Sequence, residues 1–302
     1  MGQVSGELDA MNEVGATVLS DTVCHLGEGP TYDPAAGKLF WFDILESRLL
    51  EADLSGGRTM VHQLPEMASA LAVINDGHQL LVTETGLHIR DVATGGLTQH
   101  MPIEADNPAT RSNDSRVHPC GAFWVGTMGK KAERGAGAIY WFFKGELRTL
   151  YPGISIPNSI CFSPDGAVAY YADTRENILY RVACDPATGV PTGDPAVFYD
   201  QRGQNGGLDG SVVDADGILW NARWGAGCVD AYSPAGERIR TVRVPASQAS
   251  CPAFVGAGAG RLAVTSAREG MNAEKRAADP EAGKTFLLDI AVNGRFEPRV
   301  LI

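Results

Sequence analysis

SPDGAVAYYAD (163–173) holds the key to the fold. A polar turn, Ser163 to Gly166, feeds a short run of aromatic and small apolar residues. Asp-Gly supplies the positive-φ conformations that primed hairpin turns need. The run after it reads as a strand. The same grammar recurs along the chain. YDPAAGK (32–38) leads into LFWFDI (39–44), INDGH (74–78) into QLLVTE (79–84), and VHPCGA (117–122) into AFWVGTM (122–128). DADGI (214–218) opens GILWNARW (217–224), and GAGAGR (256–261) opens RLAVTSA (261–267). No stretch of about 12 residues holds a clean 3.6-residue period, so the class is all-β.

The turn glycines Gly37, Gly77, Gly121, Gly166, Gly217 and Gly260 lie 40, 44, 45, 51 and 43 residues apart. A self-similar unit near 45 residues that carries several short strands is the mark of a β-propeller blade. Six such units nearly exhaust the chain. The expectation is a six-bladed β-propeller: residues 16–302 as one domain, residues 1–15 as a flexible N-terminal segment. The period alone does not separate six blades from seven, and a long sandwich is the rival all-β arrangement.

The 302 residues carry 25 Lys and Arg against 36 Asp and Glu, a formal charge of −11. No basic cluster is present, which argues against a nucleic-acid partner. No apolar run is long enough for a transmembrane helix, so no membrane partner is expected. Hydrophobic residues at 44% suffice for a large core. Cysteines 24, 120, 161, 184, 228 and 251 have no CxxC spacing and read as free thiols in a reducing compartment. MGQVSGELDA shows no signal-peptide pattern, and Gly6 breaks a myristoylation match. The expected location is the cytoplasm.

Several motifs fail on chemistry. ADPEAGKT (278–285) resembles a relaxed phosphate loop, but Asp279 and Glu281 would repel phosphate, and FLLDI after it reads as a strand rather than the needed helix. DADG (214–217) lacks the later ligands of a calcium loop. No GxSxG elbow exists.

Polar residues remain where strands should not want them. Glu28 sits between glycines in LGEGP (26–30), and RSND (111–114) brings Arg111 and Asn113 just ahead of a strand pair. Asn158 interrupts the apolar IPNSICF (156–162), and Asp209 lies between Leu208 and Gly210 in GGLDGSVVD (206–214). A single buried Asn is ordinarily a satisfied core group. Yet Glu28, Asn113, Asn158 and Asp209 precede their turn glycines by 9, 8, 8 and 8 residues. Equivalent blade positions converge on a propeller's axis, so four oxygen-bearing side chains would face one point. Two carboxylates with amide carbonyls suit a hard divalent cation.

These segments resemble the gluconolactonase/regucalcin (senescence marker protein 30) family of six-bladed propellers. The resemblance rests on LGEGPTYDPAAGKLFWFDI (26–44), RSNDSRVHPCGAFWVGTMG (111–129), IPNSICFSPDGAVAYYADT (156–174), GGLDGSVVDADGILWNARWG (206–225) and TSAREGM (265–271). It implies a metal-dependent sugar lactonase, with Glu28, Asn158 and Asp209 as ligands of one divalent ion. It further implies Arg111 and Asn113 as binders of a small sugar lactone and Asp209 as general base. The ion, among Ca²⁺, Zn²⁺, Mn²⁺, Mg²⁺ and Fe²⁺, stays open, as do the choice between a pentonolactone and a hexonolactone and the oligomeric state. One departure is GTMGKK: animal members have an acidic residue that holds substrate hydroxyls where this chain has Lys130 and Lys131. Lys131 is therefore assigned to substrate binding with altered sugar preference. Trp224 and Phe254 are candidates for rim contacts. Two other readings are carried: a phosphotriesterase-type propeller hydrolase, and a non-enzymatic calcium-binding protein.

Overall fold

The computed structural model describes residues 15–302, so most of the expected flexible segment lies outside the described residues. Twenty-four strands, β1 to β24 in chain order, form six four-stranded antiparallel sheets. Blade one is β2–β5 (27–63), blade two β6–β9 (68–102), blade three β10–β13 (110–154), blade four β14–β17 (157–200) and blade five β18–β21 (207–243). Blade six takes β22, β23 and β24 from the end of the chain and β1 (Ala16–Ser20) from its beginning. β1 pairs with β24 (Thr285–Leu288), with Val18 opposite Phe286, which ties the two ends of the ring together. The six runs read from sequence as strands are the second strand of blades one to five and the middle strand β23 (Arg261–Ser266) of blade six.

Blade faces bury one another. Trp124 of blade three meets Phe162 of blade four edge to face, ring centroids 5.4 Å apart, and its indole Nε1 donates to Gly189 O at 3.0 Å. Trp124 is wholly buried. Truncating such a side chain to Ala costs about 3–5 kcal/mol. The cysteines are unpaired. Among the described residues no helix is long and apolar enough to cross a membrane.

The innermost strands are β2 (Gly27–Asp33), β6 (Ala68–Asn75), β10 (Thr110–Val117), β14 (Pro157–Phe162), β18 (Gly207–Val213) and β22 (Ala249–Val255). Each gains one residue on its neighbour near its start. Glu28 pairs with Phe42 and Thr31 with Phe40. Asn158 pairs with Ala172 and Cys161 with Tyr170, and β10, β18 and β22 repeat the step. A bulge of this kind bends the strand and re-aims side chains.

At the far ends of the inner strands, residues 290–302 cross the ring. Arg295 donates to Val213 O and Phe162 O, Val300 N to Val73 O, and Leu301 N to Gly121 O. This strap closes the channel end opposite the bulges.

Candidate active site

The bulges build the site. Glu28 and Asn158 are the last paired residues before their bulges, and Asn113 and Asp209 are the first residues inside theirs. The single phase expected from sequence is thus two adjacent positions, both turned to the axis because a bulge sets two residues against one. Gly29 permits this at blade one. Its φ is +56°, and a Cβ there would collide with Ser69 O. At blade five, a Cβ on Gly210 would strike the Cys251 side chain. Ser159, in the blade-four bulge, holds φ 56° and donates its hydroxyl to Asp209 O, which also accepts from Asn221 Nδ2 at 3.0 Å. The Asp209 backbone is therefore fixed from two sides.

All six predicted residues, Glu28, Arg111, Asn113, Lys131, Asn158 and Asp209, line one open cavity of about 310 Å³. The carboxyls of Glu28 and Asp209 meet in hydrogen-bond contact across it. Burial pushes both well above the usual carboxylate range. Their mutual repulsion adds to the shift on Asp209, and Asp114 adds to that on Glu28. Glu28 Oε2 also accepts from Gly29 N at 3.0 Å. Arg111 is buried, and that burial weakens its hold on its proton while the Glu269 and Glu28 charges oppose the loss.

The amides form a directed chain. Arg111 Nη1 donates to Asn113 Oδ1 at 2.8 Å, and Asn113 Nδ2 donates to Pro157 O at 2.8 Å and Asn158 Oδ1 at 3.0 Å. Asn158 Nδ2 donates to Thr174 Oγ1 at 2.8 Å, whose hydroxyl donates to Leu208 O. Asn113 has spent both amide hydrogens, so toward a ligand it can only accept. Asn158 keeps one oxygen lone pair for the axis.

The donor set fits a divalent cation. Two buried carboxyls in contact need opposing charge to ionise, and beside them stands a carbonyl oxygen whose orientation is fixed. Among the described residues no cluster of three or more His, Cys, Asp or Glu side chains exists. The expected set has only two carboxylates, the third ligand being an amide.

Lys130 and Lys131 both stand at the mouth. Lys130 pairs with Glu84, whereas the Lys131 backbone N–H donates to Glu133 Oε2 at 3.1 Å. Trp224 lines the cavity as expected. Phe254 does not: it is buried among Trp220, Val229 and Phe286, packing blade five on blade six. Sequence reading of single residues missed Thr174 and Glu269, both in the cavity wall. Thr174 directly follows Val168–Asp173 and Glu269 lies shortly after Arg261–Ser266, each beyond the end of a blade's second strand, where the repeat phase gives no signal.

Residues 26–268 match the family described as SMP-30/Gluconolactonase/LRE-like region. The chain belongs to this family. An L-arabinolactonase of Azospirillum brasilense is 37% identical over 278 residues, covering 90% of this chain and 91% of its own. A 6-deoxy-6-sulfogluconolactonase of Pseudomonas putida is 32% identical over 278 residues, 90% of this chain and 94% of its own. The crystal structure of a calcium-binding protein, regucalcin, from Agrobacterium tumefaciens str. C58 superposes with a TM-score of 0.96. Its identity is 53%, and the match covers 98% of this chain and 100% of that one. The match to the SMP-30/gluconolactonase family takes in Glu28, Arg111, Asn113, Lys131, Asn158 and Asp209, all within residues 26–268.

Proposed function

We propose that this protein hydrolyses a sugar lactone to the corresponding aldonic acid, using one divalent cation held by Glu28, Asn158 and Asp209. The observation that carries this is the contact of two buried carboxyls beside an oriented amide oxygen in a sugar-sized cavity. The lactonase names of its relatives support the substrate class.

When bound, the cation supplies Lewis-acid polarisation of the lactone carbonyl and acidifies nearby water. Asp209 takes the proton from the attacking water at a carboxylate oxygen. The water oxygen bonds to the carbonyl carbon, and the ring C–O bond then breaks. The ring oxygen leaves as a hydroxyl, reclaiming a proton, and the new carboxylic acid ionises. Arg111 faces the charge that develops on the carbonyl oxygen with the guanidinium donors it does not give to Ser112 O and Asn113. Asn113 accepts from a substrate hydroxyl. Lys131, at the mouth, donates to ring or hydroxyl oxygens, where an acidic residue would accept.

The test is a pH-stat panel of pentono- and hexonolactones on metal-stripped protein with Ca²⁺, Zn²⁺, Mn²⁺, Mg²⁺ and Fe²⁺ each added back. Turnover restored by at least one ion supports the proposal. Tight cation binding without turnover of any lactone overturns it in favour of a binding protein. Turnover of organophosphates alone overturns it in favour of a phosphotriesterase.

A further inference from the structure

A second cleft, of about 650 Å³, adjoins the catalytic cavity and shares Trp224 and Glu269 with it. It lies between the blade-five turn at Gly225 and a short helix, α1 (Ala273–Ala278), that follows β23. We infer that this cleft is a second sugar subsite, and that the protein takes lactones bearing a glycosyl substituent, such as aldobionolactones. The inference rests on the lactonase reading above and extends it to the substrate's size.

The chemistry of the walls selects a neutral polyol. Trp224, half-buried, offers an aromatic surface of the kind on which the C–H face of a pyranose packs, and Pro245 and Met271 extend the apolar side. Ser247, Gln248 and Lys275 supply polar groups around it. Gln248 is itself buried, its Nε2 holding Glu269 O at 3.0 Å while its Oε1 has no donor. Charge argues against an anionic occupant. Glu269 and Asp279 outnumber Lys275, and Asp279 is committed to Ser247 N at 2.8 Å. A cavity with a few placed polar groups on an apolar wall is the usual form of a small-molecule site. The catalytic cavity, about half the size, takes one ring and leaves the shared Trp224–Glu269 wall as the place where a glycosidic bond would pass.

Glucono-1,5-lactone and cellobiono-1,5-lactone compared on the metal-loaded protein decide the matter. The expected result is a kcat/KM for the disaccharide lactone at least equal to that for the monosaccharide. Ala278→Trp, placed on the exposed helix to fill the cleft, should lower the disaccharide value about tenfold or more and the monosaccharide value less than about twofold. Lys275→Ala should act in the same direction and more weakly, which guards against a folding defect in the first variant. Loss of both activities alike in Ala278→Trp with Lys275→Ala silent overturns the inference. So does failure to hydrolyse the disaccharide lactone while any monosaccharide lactone is turned over, a result that leaves the lactonase reading standing. Failure of every lactone rejects both.

Discussion

Asn113 Nδ2 donates to Asn158 Oδ1 at 3.0 Å across the boundary between blades three and four. The direction is forced. Pro157 O can only accept, so the amide nitrogen of Asn113 must face it, and its oxygen must face Arg111. Leu208 O likewise can only accept, so Thr174 donates to it and receives the Asn158 amide. The Asn158 oxygen is thereby turned to the axis without help from any cation. Partners behind a ligand that orient it in this way are worth about 10–100-fold in metal affinity.

Thr174→Val should therefore weaken cation binding by about 10–100-fold while the protein stays folded. Titration calorimetry of stripped protein against the activating ion checks this. An affinity equal to wild type would show that the hydroxyl plays no part in holding Asn158.

Asp209→Asn removes one of two touching carboxyls. Activity should fall by about 10²–10⁴-fold, the usual range for a general base, and further if the cation is lost as well. Stripped Asp209→Asn should melt above stripped wild type, because a buried repulsion is gone. Wild-type turnover in this variant would remove Asp209 from the base role.

The raised carboxyls set a pH dependence. An acid whose folded pKa lies above its unfolded value contributes stability that is whole below the unfolded pKa and is lost as pH rises through the folded one. The unfolded values are near 4. Burial pushes Asp114 to about 6 despite the Arg116 charge beside it, and Glu28 and Asp209 are raised as well. Metal-free protein should thus lose stability from about pH 5 to 8, and saturating divalent cation should flatten the slope by holding the ionised carboxylates. Melting curves across that range, with Asp209→Asn as the shallower comparator, give the reading. A stripped wild type whose melting point climbs relative to the variant contradicts the assignment.

The repeat was legible because each blade's second strand is buried on both faces and preceded by a Gly turn, so LFWFDI (39–44) and AVAYYAD (167–173) announce themselves. Outer strands carry no such signal. Met60–Gln63 and Arg238–Arg243 are largely exposed and mix polar with apolar residues. The closing strand β1 was invisible for a related reason, since ATVLS (16–20) buries only its last two residues fully and pairs with a partner at the far end of the chain. Lys131 drew notice only as a departure from the family resemblance, whereas five of the six candidate residues, Glu28, Arg111, Asn113, Asn158 and Asp209, stood out as polar groups in or beside apolar runs. Their one-residue offset did not, because a bulge depends on pairing register, which a single strand's sequence does not contain. Phe254 shows the reverse error: an aromatic residue near the C-terminus fits a rim or a core equally well until its neighbours are known.

The C-terminal strap gives the last test. Glu297 Oε1 accepts from Arg116 Nη1 at 3.0 Å, and Arg116 Nη2 donates to Ser211 O at 3.2 Å within the channel. Burial works against the Arg116 charge, and the groups facing it, Glu297 foremost and Asp114 among the rest, more than offset it. Glu297→Gln would leave a buried guanidinium short of its counter-charge. A fully buried broken pair costs about 3–5 kcal/mol, but the Glu297 side chain is 24% exposed, so screening lowers this to about 1–3 kcal/mol. The strap lies at the channel end opposite the bulges, so KM for lactone should stay at the wild-type value while the melting point falls. Chemical denaturation alongside steady-state kinetics separates the two effects. An unchanged midpoint, or a shifted KM with intact stability, would mean that this ion pair serves the site rather than the closure of the ring.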